Sequence, residues 1–161
     1  MELTHVDAAG AARMVDVSEK TPGARVAVAT GVLRTTPEVI ELLRRDGLSK
    51  GDALATARIA GIMGAKRTPD LVPLCHPIAL TGVTVDLALA ASGEPAVLIT
   101  ATVKTTDRTG VEMEALTAVA VAGLTLHDMV KAVDPAAVLD GVQVVRKDGG
   151  KTGSWTRPEG R

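Results

Sequence analysis

The chain has 161 residues, 46% hydrophobic and 23% charged, with a formal net charge of -1, which suits one domain with a sizeable core. Aromatic content is 1%, a single Trp with no Phe or Tyr. That argues against nucleic-acid binding through stacking platforms, and the balanced charge leaves no general basic footprint. The lone cysteine, Cys75, excludes an intramolecular disulfide framework. No charged leader with an apolar stretch opens the chain, so a cytoplasmic location is expected. A core of Ala, Val, Leu and Ile without large rings gains from extra burial between subunits, so a homo-oligomer is expected.

Residues 1–23 read as an irregular arm with one short strand at most, near Met14–Val17. Arg25 to Leu33 alternates and is β-branched, a strand. Thr36 then caps a helix with Pro37 in its first turn, ending near Asp46-Gly47. A second helix runs from Asp52 to about Arg67, where Ala57, Ala60, Gly61 and Gly64 form a small-residue face for close packing. Lys66 and Arg67 complement its dipole, or contribute to an anion site.

Three prolines within 69–77 exclude a helix there, and each residue before a proline is pushed toward extended geometry. This loop presents Cys75 and His76. Neighbours on an extended backbone point opposite ways, which argues against one Cys–His nucleophile pair. A zinc site lacks a second cysteine, so no metal ligands are assigned. Cys75 alone is more often a small buried residue than a nucleophile. Leu80 to Ala90 and Ala96 to Thr106 form a hairpin through Ser92–Pro95.

The stretch Gly110–Val133 is a long apolar helix, interrupted often enough that it does not read as a membrane span. Glu112 and Glu114 lie near its start, on opposite sides. His127, Asp128 and Lys131 share a face near its end, either as an ordinary surface pair or as chemistry. A final strand, Ala137 to Arg146, leads into Lys147–Ser154, a Gly- and Lys-rich loop able to close on an anion, or else a mobile end. With no repeat or boundary, residues 1–161 form one domain, partly flexible at 1–23 and 147–161. The element order suits an α+β fold with helices on one face of an antiparallel sheet.

The polar groups without a simple surface role fall into a cationic set, Lys50, Lys66, Arg67, Lys131, Lys147 and Lys151, and an acid/base set, His76, Glu112, Glu114 and Asp128. Gathered together, they suit a highly anionic small molecule undergoing proton transfers. A non-catalytic nucleotide-binding oligomer is the alternative; it would not need the proton-transfer groups.

The chain also resembles the cyclic pyranopterin monophosphate synthases of molybdenum-cofactor biosynthesis. The resemblance rests on Leu3-Thr-His-Val-Asp7, Lys50-Gly-Asp52, Asp70-Leu-Val-Pro-Leu-Cys-His-Pro77, Thr109-Gly-Val-Glu-Met-Glu-Ala-Leu-Thr-Ala118, His127-Asp-Met-Val-Lys-Ala-Val133 and Gly149-Gly-Lys-Thr-Gly153. It implies a ferredoxin-like subunit and a homohexamer, a trimer of dimers, with sites at subunit interfaces. It implies conversion of 3′,8-cyclo-7,8-dihydroguanosine 5′-triphosphate to cyclic pyranopterin monophosphate and pyrophosphate. Asp128, Lys131 and Lys50 would then be catalytic acid/base groups. Leu74, Cys75, His76, Glu112, Met113 and Glu114 would line the substrate, and Lys66, Lys147 and Lys151 would hold phosphates. No resident cofactor is implied; Mg²⁺ assistance with pyrophosphate is left open, with Glu112 the residue to test for it. The helix-end pair, the histidine loop and the Gly-Lys tail must meet at one pocket, within one subunit or across two.

Overall fold

The computed structural model describes residues 5–45, 52–151 and 153–159. Its sheet has the order β2-β3-β1-β4-β5, with every neighbouring pair antiparallel. The strands are β1 (Gly23–Arg34), β2 (Leu80–Leu89), β3 (Ala96–Asp107), β4 (Val138–Asp148) and the short β5 (Trp155–Thr156). The helices are α1 (Pro37–Arg44), α2 (Ala53–Lys66), the single turn α3 (Thr68–Leu71) and α4 (Glu112–Val130). The first four strands and their intervening helices give the expected α+β, ferredoxin-like arrangement. The fifth strand extends its edge.

Local chemistry explains most boundaries. Thr36 accepts a hydrogen bond from the Val39 N–H and Pro37 occupies the first turn of α1, as its sequence predicts. Asp52 caps α2 through the Ala55 N–H at 2.8 Å. One expectation is corrected: residues 68–71 do form a helical turn. Pro69 sits in that first turn, where its missing N–H breaks no helical bond, and only the residues beyond Leu71 are irregular. β4 also runs two residues further than its composition predicts, taking in Lys147 and Asp148.

Alternation along β1 sends Ala27, Ala29 and Leu33 into the core. α4 packs over that face with α2 beside it. A β-carbon at Gly61 would meet the Ala118 carbonyl at 2.8 Å, and one at Gly64 would meet Val121 Cγ2 at 2.8 Å. The small-residue face of α2 is therefore what lets the two helix backbones approach closely. One core cluster joins Ala65 to Ala115 and Ala118, and the other joins Ala57 to Leu126 and Val130, so α2 runs antiparallel to α4.

By length and composition α4 could cross a membrane. Here it is a core helix instead, with Ala115, Ala118, Val119, Ala122, Leu126 and Val130 fully covered by the sheet and α2.

Candidate functional site

The first turn of α4 overlooks two adjoining cavities. One, of about 910 Å³, has largely apolar walls that include Val15, Leu74, Cys75, His76, Met113 and Glu114. The other, of about 770 Å³, is ringed by the cations Lys20, Arg25, Arg108, Lys147 and Lys151 and the carboxylates Asp16, Glu19, Glu112 and Asp148, together with Gly149 and Gly150. Lys20, Thr109, Gly110 and Glu112 belong to both, so the two form one continuous depression.

Glu114 is the buried acid of this site, 3% exposed. Burial raises its carboxyl above the ordinary range, an effect its own backbone N–H partly offsets and the nearby Glu112 charge adds to. A carboxyl with an elevated value keeps its proton longer and can donate it. Glu112, two residues earlier, faces the shared wall and pairs with Lys147 Nζ at 3.0 Å. The opposite orientations expected for the two glutamates therefore place one in the core and one at the junction of the cavities.

Cys75 and His76 line the same cavity, against the expectation that they diverge. The Cys75 N–H donates to the Val72 carbonyl at 3.0 Å, and this turn breaks the strict alternation of an extended chain. They still do not form a nucleophile pair. Burial, with the Glu114 charge behind it, raises the Cys75 thiol, keeping it in its unreactive protonated form. His76 Nε2 lies 2.7 Å from the Val15 carbonyl. A carbonyl only accepts, so Nε2 carries the proton of this bond. This bond also ties residues 5–22 to the cavity, where Asp7 closes a turn by accepting from the Ala9 and Ala11 N–H groups at 2.9 Å.

The other end of α4 is different. Asp128 Oδ1 and Lys131 Nζ are 2.6 Å apart, and their side chains are 56% and 55% exposed. Neither lines the cavities. Asp128 follows Glu112 by sixteen helical residues, roughly 24 Å at 1.5 Å per residue. Within one chain, then, the helix-end pair and the histidine loop do not meet. Lys66 is exposed at the end of α2 beside the first turns of α4 and lines neither cavity. Lys50 lies outside the described residues. Lys147 and Lys151 do meet, with Glu112, in the basic cavity.

Sequence reasoning missed Lys20, Arg25 and Arg108. Arg108 carried a readable signal, since it sits in the loop entering α4 immediately before the glutamates. Lys20 and Arg25 carried none, because only the fold brings the arm and the start of β1 alongside β4. Among the described residues, no three His, Cys, Asp or Glu side chains gather as metal ligands.

The comparisons with known proteins agree along nearly the whole chain. A cyclic pyranopterin monophosphate synthase of Streptomyces coelicolor is 67% identical over 155 residues, 96% of this chain and 89% of that protein. A Nocardioides protein of the same name is 62% identical, over 97% of this chain and 96% of its own length. Cyclic pyranopterin monophosphate synthase 2 of Mycobacterium tuberculosis is 62% identical over 97% of this chain and 92% of that protein. Residues 14–150 match the MoaC family, and the chain belongs to that family.

Proposed function

We propose that this protein converts 3′,8-cyclo-7,8-dihydroguanosine 5′-triphosphate to cyclic pyranopterin monophosphate, releasing pyrophosphate. The observation that carries the proposal is the paired depression at the start of α4, an apolar cavity opening directly into a basic one. That division matches a substrate with a purine-derived ring at one end and a triphosphate at the other. Rearranging the ring moves protons on and off several heteroatoms, and Glu114 and His76 stand on the apolar side to do so. Closing the cyclic phosphate needs in-line attack by a ribose-derived hydroxyl on the α-phosphorus. Lys147 and Lys151, with Lys20, Arg25 and Arg108 behind them, neutralise the charge that grows on the departing pyrophosphate. Five cationic side chains there answer the triphosphate charge, set among the carboxylates of Asp16, Glu19, Glu112 and Asp148; turnover before and after exhaustive chelation, in the parent and in Glu112→Gln, tests whether Mg²⁺ takes a share of that charge.

Asp128 and Lys131, with Lys50, complete the proposed acid/base set from a neighbouring subunit of a hexamer built as a trimer of dimers. Two observations support this. The pair lies about 24 Å from its own chain's cavity along α4. It also shares a helix face with Leu124, 64% exposed, while Ile59 and Met63 of α2 are 60% and 53% exposed. An exposed apolar surface of this kind marks an interaction face, and closing it against another copy would carry the charged pair along. A cytoplasmic location is part of the same proposal.

The test is direct. Purified protein given the triphosphate should release pyrophosphate in step with pterin formation, and Asp128→Asn or Lys131→Ala should abolish turnover while the oligomer persists. Near-normal turnover by both variants would overturn these role assignments. Tight substrate binding without any pyrophosphate would identify a carrier instead.

A further inference from the structure

Resting on the proposed function, we infer that the segment Trp155–Arg157 is a clasp that positions the phosphate-holding loop, with Arg157 as its positioning residue. This segment lies beyond the 14–150 match to the family, and neither Trp155 nor Arg157 belongs to a core cluster. It is nevertheless fastened with care. Thr156 and Trp155 pair with Arg146 and Lys147 of β4. The Arg157 N–H donates to the Val145 carbonyl at 2.8 Å, and its Nε donates to the Val144 carbonyl at 2.7 Å. Its guanidinium lies 5.8 Å from the Trp155 ring centroid, within cation–π range.

The clasp closes a loop that starts at Lys147, the lysine paired with Glu112. Cross-strand partners share a sheet face, so Trp155 sits on the same side of the sheet as the Lys147 stem. Within the loop Gly149 and Gly150 have φ of 95° and 80°, and β-carbons there would collide with the Ala24 carbonyl and the Arg25 guanidinium. The loop backbone therefore rests directly on the start of β1, which only glycine permits. A Ser154 side-chain hydrogen bond, followed by the Arg146 charge, holds the Asp148 carboxyl below its ordinary range, and the Gly153 N–H reaches the Gly150 carbonyl at 3.2 Å. Ser154, Trp155, Thr156 and Arg157 do not line the basic cavity, yet Lys147, Asp148, Gly149, Gly150 and Lys151 all do. The clasp acts through them: it fixes the loop before the polyanion arrives, so that less ordering is left for binding to supply.

Inorganic tripolyphosphate serves as the probe, in calorimetry on the intact chain. Arg157→Ala should weaken its binding about tenfold and raise KM for the triphosphate by a similar factor, with kcat within about twofold. Arg157→Lys, which keeps a donor and a charge, should recover most of the loss. Hydrogen exchange should rise at residues 147–151 in Arg157→Ala, and Trp155→Ala should reproduce the effect more weakly. Unchanged tripolyphosphate affinity in both alanine variants overturns the clasp and leaves the proposed function standing. Parent protein that binds no tripolyphosphate overturns the assignment of the basic cavity, and the clasp with it. Clasp-dependent binding without pyrophosphate release would keep the clasp and discard the catalytic proposal.

Discussion

At its first turn α4 buries Glu114 among apolar walls and sets Glu112 against Lys147, whereas at its last turn Asp128 and Lys131 are each more than half exposed. Both ends carry acid and base groups on one continuous helix. Only the first is enclosed by its own chain, and there burial raises the Glu114 carboxyl above its ordinary range. A half-exposed ion pair contributes little to stability, typically about 0.2–1 kcal/mol, and its attraction is weakened by water. Such a pair becomes useful for proton transfer once a second surface excludes that water. The contrast therefore separates a group of residues that its own chain encloses from one that, in the proposed oligomer, a neighbouring subunit would cover.

Mixing subunits would break this comparison most sharply. Asp128→Asn and Glu114→Gln should each lose about 10²–10⁴-fold in turnover as pure proteins, the usual range for removing an acid/base group. Reassembled together in equal amounts, they should regain about a quarter of parental activity, because random pairing restores both halves in a quarter of sites. A mixture no more active than its components would mean that the two ends do not serve one site.

The next effect is on stability. Leu126 is fully buried near the last turn of α4, and Leu126→Ala should cost about 2–5 kcal/mol in chemical denaturation. Lys131→Ala, five residues on, should lie within about 0.5 kcal/mol of the parent. A large destabilisation by Lys131→Ala would make the pair structural.

Glu114 gives a pH-dependent test. Its folded value is raised, so the folded state holds the proton more tightly than the unfolded chain. Stability is then highest below the ordinary glutamate value of 4.5 and declines as pH climbs through the elevated folded value. Glu114→Gln, which has no proton to lose, should melt beside the parent in acid and gain on it toward neutral pH. Parallel melting curves at every pH would remove the buried acid from the account.

Much of this molecule was written in local chemistry. Thr36 with Pro37, the alternation of β1 and the small face of α2 each state their structure within a few residues, and each reappears in the fold. The Pro69 turn failed because counting prolines ignores position: at a helix start the residue costs nothing. The enclosed half-site was legible as residue types, Cys75, His76, Glu112 and Glu114, but not as a place. Its basic wall joins the arm, β1, the loop before α4 and β4, segments that a strand register alone brings side by side. The exposed half was legible as a motif only, since nothing inside one chain says what a surface pair faces.

Because α4 is a single uninterrupted helix held close to α2 by contacts at Gly61 and Gly64, it works as a ruler. In the proposed oligomer, the spacing between what a subunit receives at one tip and what it offers at the other is set by a count of residues. One residue inserted midway would swing the far tip by about 100° and push it out by about 1.5 Å. The outgoing groups would then be aimed past their target even if every side chain were retained, so length in this helix should tolerate change far less than composition does.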